Sequence, residues 1–150
     1  MKINQATIDH LDQLVPLFDG YRVFYKQTSD KKNAKHFLKN RLINEDSIIF
    51  IAFDEQSNAI GFTQLYPIFS SVSMRPLHIL NDLFVDTSNR GSGVGHALLE
   101  HAKDFSIKRS GKGLILETAK DNPAQYLYER NGWKLDTKTL HYTWANKNKD

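Results

Sequence analysis

The chain has 150 residues, a formal net charge of +3, 40% hydrophobic and 25% charged residues, and no cysteine. A chain of this length buries roughly 70% of its unfolded surface, so we expect one packed domain over residues 1–150. The lack of cysteine excludes disulfides, thiolate metal sites and a cysteine nucleophile. The slight basic excess favours an anionic ligand, and without a basic motif it does not indicate nucleic acid.

The hydropathy pattern argues against a membrane protein and against export. The longest uninterrupted apolar run is six residues, from Ile48 to Phe53, whereas a helix needs about 20 to cross a bilayer. Residues 1–5 lack the apolar stretch that forms the centre of a signal peptide. We therefore expect a cytoplasmic protein with no membrane partner.

The first half of the chain predicts a strand, two helices and a hairpin. Alternation over residues 2–8 indicates a strand, and Asp9 then offers a helix cap before apolar residues recur at helical spacing up to Tyr25. Ser29 and Asp30 offer the cap of a second helix, which extends to Leu42. Residues 48–53 and 59–68 are rich in β-branched and aromatic residues on either side of a polar turn, which predicts an antiparallel hairpin.

The second half predicts a strand, a helix and a parallel strand, followed by a further helix. The strands cover residues 77–85 and 114–116, and the helix between them begins after a glycine-rich turn. Asn122 and Pro123 start the last helix, Gly132 ends it, and residues 133–144 are expected to form a final strand or hairpin. The predicted fold is a mixed α/β sheet, antiparallel in its N-terminal half with a parallel central pair, flanked by about four helices.

The glycine-rich turn at residues 90–95 is the strongest candidate for a ligand site. It lies between a strand and the first turn of a helix, where amides lack helical partners and glycines let an anion approach the backbone. A tight turn that merely uses glycine for positive φ is the alternative. No Lys follows Gly95, which disfavours a nucleotide-hydrolysing loop, and His96 occupies the last glycine position of a dinucleotide fingerprint.

The turn instead fits the pattern Arg/Gln-x-x-Gly-x-Gly/Ala, through Arg90, Gly93 and Gly95. Here the chain resembles the GNAT superfamily of acyl-coenzyme A-dependent N-acetyltransferases. The strand at residues 80–85 looks like the central strand of the polyamine and histone acetyltransferases in that superfamily. Asn122 with residues 124–133 resembles the family's second cofactor motif. The predicted order of elements agrees with the family over nearly the whole chain.

The resemblance implies acetyl-coenzyme A as co-substrate and a set of residues that hold it. The turn would bind the diphosphate, the backbone of the preceding strand would contact the pantetheine arm and the thioester carbonyl, and Tyr128 would donate a proton to the departing sulfur. Helix capping alone explains Asn122, and Tyr128 could be a core residue. The implied cofactor residues are Phe84, Val85, Arg90, Gly91, Ser92, Gly93, Val94, Gly95, Asn122 and Tyr128.

On the acceptor side, the expected catalytic residue besides Tyr128 is Asp82, as the base that takes a proton from the attacking amine. Related polyamine enzymes often have a glutamate where Asn81 stands, so Asp82 could equally bind the substrate ammonium, and Glu117 is the reserve base. His78 could also reach the acceptor. The implied substrate-binding residues are Tyr21, Arg22, Tyr25, Asn81 and Asp82, although the two tyrosines could be core anchors.

The expected function is acetyl transfer from acetyl-coenzyme A to a primary amine by direct attack. A small amine or polyamine ranks first as acceptor and a protein lysine or N-terminus second, so the partner is a small-molecule or peptide amine. The alternative is a non-catalytic acyl-coenzyme A sensor, which would not need Tyr128 or Asp82. The six histidines show no zinc-ligand spacing, so no metal is expected, and the final strand could pair two subunits into a homodimer.

Overall fold

A computed structural model describes residues 1–147 and contains one five-stranded sheet, whose strands follow one another in chain order. Neighbouring strands are antiparallel from the first to the fourth, and the fourth and fifth are parallel. The strands are β1 (Lys2–Gln5), β2 (Ile48–Phe53), β3 (Ala59–Ser70), β4 (Arg75–Val85) and β5 (Leu114–Ile115). The predicted mixed sheet with a parallel pair is therefore confirmed.

Four α-helices flank the sheet, namely α1 (Leu11–Phe24), α2 (Lys31–Asn44), α3 (Val94–Lys108) and α4 (Ala124–Arg130). The cap predicted for α2 is confirmed, because the Asp30 carboxylate accepts a hydrogen bond from the Asn33 amide at 3.1 Å. The cap predicted for α1 is wrong. A short 3-10 turn, Ile8–His10, precedes α1, and the Thr7 amide donates to Nδ1 of His10 at 3.0 Å, so Asp9 lies inside a turn rather than at a cap.

The sheet separates two layers of core. Side chains alternate along a strand, so the β2 residues Ile49 and Ile51 pack with α1 and α2 on one face. Phe50 and Ala52 of the same strand pack with α3 on the other face. Because both faces are covered, β2 is a continuous apolar run rather than an alternating one.

A β-bulge in β4 changes which side chains face which layer. Leu80 pairs with Leu65 and Asp82 pairs with Gln64, so Asn81 is an extra residue without an opposite partner. Leu80 therefore packs on the α3 face, whereas Asp82 lies against Tyr21 of α1. Bulges of this kind re-aim side chains, and this one delivers a carboxylate to the α1 face of the sheet.

The parallel pair is very short, and β4 is left without a neighbour over its second half. β4 and β5 pair only at His78 with Leu114 and at Ile79 with Ile115. Beyond Ile79 the two chains separate, while β4 remains paired to β3 as far as Val85. The gap between the diverging chains is where the candidate site lies.

The strand or hairpin expected at residues 133–144 is absent from the structure, which contains no regular element there. Leu135, Leu140, Tyr142 and Trp144 are instead exposed. A strand needs the backbone of a neighbour to pair with, and the adjacent edge is β5, which is two residues long. No helix in the described part of the chain is long and apolar enough to cross a bilayer.

Candidate active site

A groove of about 520 Å³ runs between the free half of β4, the start of α3 and the length of α4. Leu83 to Val85 form its floor, and the residues from Asn89 to His96 close one end. Asn122 and Tyr128 line the α4 side, and Phe24 and Tyr25 of α1 line the rim. The structure thus brings every predicted cofactor residue except Ser92 to the lining of one groove, and Ser92 lies within the glycine-rich turn at its end.

The glycine turn, residues 90–96, is connected to β4 by a short hydrogen-bonded segment. Asp86 accepts hydrogen bonds from the Ser88 hydroxyl and from the Ser88 amide at 3.3 Å, which fixes a 3-10 turn at Thr87–Asn89. Gly91 and Gly93 follow with φ of +77° and +85°, where a side chain is strained. A Cβ at either glycine would meet no protein atom within 4 Å, so each borders open space.

Six successive amides of the glycine turn lack protein acceptors. Within residues 1–147, no backbone amide from Gly91 to His96 donates to a protein group, and the first bond of α3 runs from the Ala97 amide to the Gly93 carbonyl at 3.0 Å. Val94, Gly95 and His96 are the first three helical residues, whose amides point out of the helix end. The turn therefore presents free donors and the positive end of a helix dipole to the groove.

Arg90 adds a fixed positive charge at the end of β4. Its Nε donates to the Val85 carbonyl at 3.1 Å, and its guanidinium lies 5.6 Å from the ring centroids of both Phe24 and Phe84. A cation held over aromatic faces and bound to a carbonyl loses little freedom when an anion arrives. The predicted role of Arg90 in charge compensation is compatible with this placement.

Close packing and a polar cluster join α4 to α3. A Cβ at Gly95 would lie 2.9 Å from Cδ2 of Leu127, so a larger residue there would require the Leu127 side chain to shift. The side chain of buried Asn131 bonds to Nδ1 of His96, and its backbone carbonyl accepts from Lys103. His96 and Asn131 both line the groove, although neither is among the predicted site residues.

Asn122 and Tyr25 form a polar bridge at the rim of the groove. Oδ1 of Asn122 accepts from the Ala124 amide at 2.9 Å, so this side chain satisfies the first amide of α4. The helix begins at Ala124, one residue later than predicted, and Pro123 stands at its N-cap position. Nδ2 of the same side chain donates to the Tyr25 hydroxyl at 3.1 Å.

Burial, and to a lesser extent Tyr25, raises the pKa of Tyr128 to about 12, so this phenol is fully protonated at neutral pH. A protonated phenol thus belongs to the lining of the groove.

The Asp82 cluster, Asp82 with Tyr21, Gln64 and Asn81, lies where β4 packs on α1, outside the lining of the groove. Asp82 is 2% exposed, Gln64 donates to its Oδ2, and Asn81 donates to its Oδ1 at 2.9 Å. The Tyr21 hydroxyl donates to the Asn81 carbonyl at 3.2 Å and is within hydrogen-bonding reach of the carboxylate. Burial raises the pKa of Asp82, and the three donors offset part of that rise.

A second set of contacts supports the Asp82 cluster from behind. Gln64 is fully buried, and its Oε1 accepts from the Ser47 hydroxyl at 2.9 Å, so the amide has one orientation. Thr63 donates to the Asp82 carbonyl at 2.8 Å. Burial, with the Asp82 charge as the second cause, raises the pKa of the nearby Tyr66 to about 12. The Asp82 carboxylate is therefore surrounded by neutral hydroxyl and amide groups, and hydrogen bonds hold it and its neighbours in place.

Tyr21 and Tyr25 connect the Asp82 cluster to the groove. Their rings contact edge to face with centroids 4.9 Å apart, so a continuous path runs from Asp82 through the two tyrosines to Asn122. Tyr21 also packs on Phe62, so the core-anchor interpretation of this tyrosine is confirmed. Its expected role in binding the acceptor stays a prediction.

Three other predicted residues do not join this arrangement. Arg22 donates to the Thr28 carbonyl at 3.1 Å, so it orders the chain between α1 and α2 instead of facing Asp82. Glu117, the reserve base, is exposed and contacts His141 at 3.2 Å. His78 is buried against Phe105 on the α3 face, because it precedes the bulge that turns Asp82 the other way. Burial lowers the pKa of His78, with Arg109 as a second cause.

Together, the parted β4–β5 pair and the glycine turn with free amides at a helix start agree with the fold and the cofactor loop that the resemblance to the GNAT superfamily implies. The sequence model described as "Acetyltransferase (GNAT) domain" matches residues 45–135. The match covers more than half of the chain and includes β2 to β5, the glycine turn and α4. The chain belongs to the GNAT family of acetyltransferases.

Relatives that match nearly the whole chain have the same class of activity in their names. An uncharacterized N-acetyltransferase of Bacillus subtilis is 49% identical over 143 residues, which is 95% of each chain. A probable acetyltransferase of Haemophilus influenzae is 35% identical over 139 residues, covering 92% of this chain and 93% of the relative. The crystal structure of a probable acetyltransferase superposes with a TM-score of 0.93 at 39% identity over 99% of both chains.

Proposed function

We propose that this acetyltransferase moves an acetyl group from acetyl-coenzyme A to a primary amine by direct attack. A small amine or polyamine is the first candidate for the acceptor, and a protein lysine or N-terminus is the second. The observation that carries the proposal is the row of unpaired amides from Gly91 to His96, at the end of a groove that also holds Tyr128. An anion-binding helix start beside a protonated phenol fits a carrier with a diphosphate at one end and a thioester at the other.

The groove suits the carrier along its whole length. The diphosphate would accept hydrogen bonds from the glycine turn, with Arg90 adding charge. The pantetheine arm would lie along Leu83 to Val85, where β4 has no neighbour on its outer side and can pair with an extended ligand. A backbone amide of the same strand, near Phe84 or Val85, would stabilise the oxyanion that forms at the thioester carbonyl.

Tyr128 supports departure of the thiolate by donating a hydrogen bond. The phenol pKa of about 12 lies well above a thiol pKa near 8.5, so complete proton transfer to the sulfur costs roughly 5 kcal/mol. The phenol therefore shares its proton with the developing thiolate, and solvent completes the transfer after bond cleavage. This assignment gives Tyr128 a modest share of catalysis rather than the dominant one.

Asp82 supplies the charge that makes the amine reactive. Holding a lysine-like amine neutral at pH 7 costs about 4.6 kcal/mol, because its pKa is near 10.4. An incoming ammonium is attracted to the buried Asp82 carboxylate, and the raised pKa of that carboxylate makes it a better proton acceptor than a surface aspartate. Asn81 and Tyr21 orient the carboxylate and bind the acceptor beside it.

The charge of the site favours a cationic acceptor over an acidic one. Arg22 is a cation that could pair with an acceptor carboxylate, but its Nη1 donates to the Thr28 carbonyl at 3.1 Å. Asp82 would repel an acidic group on the acceptor and attract an ammonium. A small diamine or polyamine, which has several ammonium groups, fits this balance better than an amino acid.

Thermal shift followed by a thiol-release assay tests the proposal. Acetyl-coenzyme A is expected to raise the melting temperature, and thiol release is expected to depend on an added amine from a panel of diamines, polyamines, amino acids and lysine peptides. Binding without amine-dependent release would contradict the transfer reaction and support the sensor. Release with amino acids but not with diamines would contradict the proposed role of Asp82 in choosing the acceptor.

A further inference from the structure

The Asp82 carboxylate is almost completely buried, although it is the group that would take a proton from the acceptor. Asp82 is 2% exposed and is not among the residues that line the groove. Gln64, which contacts one of its oxygens, is fully buried as well. A proton that leaves a substrate amine therefore has to reach Asp82 through one of the side chains that surround it.

Only one of these side chains has the chemistry to pass a proton on. Within residues 1–147, the carboxylate accepts hydrogen bonds from the side chains of Gln64, Asn81 and Tyr21. The two amides contact it through nitrogen atoms, which donate and do not accept. A phenolic hydroxyl does both, so it can release its own proton to the carboxylate and take another from a substrate. Tyr21 is therefore the neighbour that can act as a relay.

Tyr21 also has the position that a relay needs. Its hydroxyl donates to the Asn81 carbonyl at 3.2 Å and is within reach of the Asp82 carboxylate, so rotation of the hydroxyl moves its proton from one acceptor to the other. Its side chain is only partly buried. Its ring lies 4.9 Å, between centroids, from that of Tyr25, which lines the groove. Tyr21 thus connects the buried carboxylate to the groove wall.

We propose that Tyr21 is a catalytic residue that carries the proton of the acceptor ammonium to Asp82. An N–H bond of the ammonium breaks and its proton goes to the Tyr21 hydroxyl oxygen, while the hydroxyl gives its own proton to the carboxylate. The amine keeps the electron pair of the broken bond and attacks the thioester carbonyl with it. The phenol is neutral before and after the step, and Asp82 later returns the proton to solvent through Tyr21. This inference rests on the proposed function.

The two proton transfers have to occur together. If the Tyr21 proton left first, a buried phenolate would form, and burial, with the Asp82 charge as second cause, raises the pKa of this phenol above its ordinary value. If the ammonium proton arrived first, the phenol would become an oxonium, which is a far stronger acid than the ammonium. The step therefore needs both residues at once, and loss of either one should stop it.

A double-mutant cycle tests whether the two residues act in one pathway. Tyr21→Phe removes only the hydroxyl and keeps the ring that contacts Phe62 and Tyr25. Its kcat with a diamine and saturating acetyl-coenzyme A should fall about 100-fold, as for Asp82→Asn, because both variants lose the same proton transfer. The variant with both substitutions should be no slower than either single variant. Losses that multiply would show that the residues act separately and would overturn the relay.

Acceptors of different basicity distinguish a relay from a binding or packing role. In a series of primary amines from a diamine to trifluoroethylamine, the fraction that is already neutral at pH 7 rises as the amine pKa falls. The loss caused by Tyr21→Phe should shrink along this series to about threefold or less, because less of the reaction depends on assisted deprotonation. A loss of the same size with every amine would assign Tyr21 to binding or packing and overturn the relay.

A matched control and an independent measurement separate this inference from the proposed function. Tyr126→Phe, at a position 58% exposed on α4 and outside the groove lining, should keep wild-type turnover. Coenzyme A affinity should be unchanged in Tyr21→Phe, which would show that its fold is intact. Wild-type turnover in Tyr21→Phe would overturn the relay and leave the proposed function standing. If the wild-type protein releases no thiol with any amine, the proposed function fails and the inference fails with it.

Discussion

The glycine turn follows the end of β4, whereas the Asp82 cluster lies where β4 packs on α1, and the two are made of different parts of the chain. The turn acts through backbone amides, which any residue with the right φ and ψ can supply. Its sequence requirement is therefore glycine at the positions where a ligand approaches the backbone closely. The cluster acts through side chains contributed by α1, β3 and the β4 bulge. Substitutions should therefore affect ligand affinity at the turn and turnover at the cluster.

The largest expected effect is on turnover at the cluster. Asp82→Asn keeps the shape of the side chain and removes its charge, so kcat should fall about 100-fold at pH 7. Activity should recover partly at higher pH, where more of the amine is neutral. Kinetics between pH 6 and 10 measure both effects, and coenzyme A affinity is the internal control, expected to remain unchanged. A variant with wild-type turnover and pH profile would show that the cluster is structural.

The same substitution should separate activity from stability. Burial raises the pKa of Asp82 in the folded state, so the native protein loses stability as pH rises from the unfolded value near 3.9 through that raised value. Asp82→Asn lacks this loss. Its melting temperature relative to wild type should therefore increase between pH 4 and 8. A relative melting temperature that falls over this range would contradict the direction assigned to the carboxylate pKa.

At the glycine turn, a single methyl group should weaken binding. Gly93→Ala places a Cβ at φ +85° on the groove wall, where the diphosphate is expected, so coenzyme A affinity should fall about tenfold. Gly132→Ala is the matched control, because Gly132 has φ +79°, also has no atom within 4 Å of its added Cβ and lies outside the groove lining. Both variants should lose about 1 kcal/mol of stability. Equal losses of affinity would attribute the effect to backbone strain alone.

The smallest expected effect is that of Tyr128→Phe, which tests whether a residue of the groove contributes to turnover as the Asp82 cluster does. Tyr128 faces the groove yet acts on the reaction, so Tyr128→Phe should lower kcat about fivefold, the value of one hydrogen bond near 1 kcal/mol. Coenzyme A affinity should be nearly unchanged, because the ring remains against Trp133. Steady-state kinetics beside equilibrium binding separate these quantities. Full turnover in the variant would remove Tyr128 from the mechanism.

The sequence predicts the turn better than the cluster, for a physical reason. Glycines at 91, 93 and 95 and the start of a helix are local features, so the anion cradle follows from neighbouring residues. The orientation of Asp82 depends on one unpaired residue in the β3–β4 register, which no periodicity in β4 reveals. The positions of Arg22 and His78 likewise depend on a loop carbonyl and on the bulge, which the sequence pattern does not reveal. The strand expected after residue 133 failed because strand formation depends on a neighbouring edge as well as on composition.

Amide chemical shifts during a titration with coenzyme A test the central claim most directly. If the backbone of residues 91–96 holds the diphosphate, these amides should show the largest ¹⁵N–¹H shift changes in the protein, and they should move downfield as they gain acceptors. Dephospho-coenzyme A should reproduce the changes. Shifts concentrated elsewhere, with these six amides unmoved at saturation, would contradict the account.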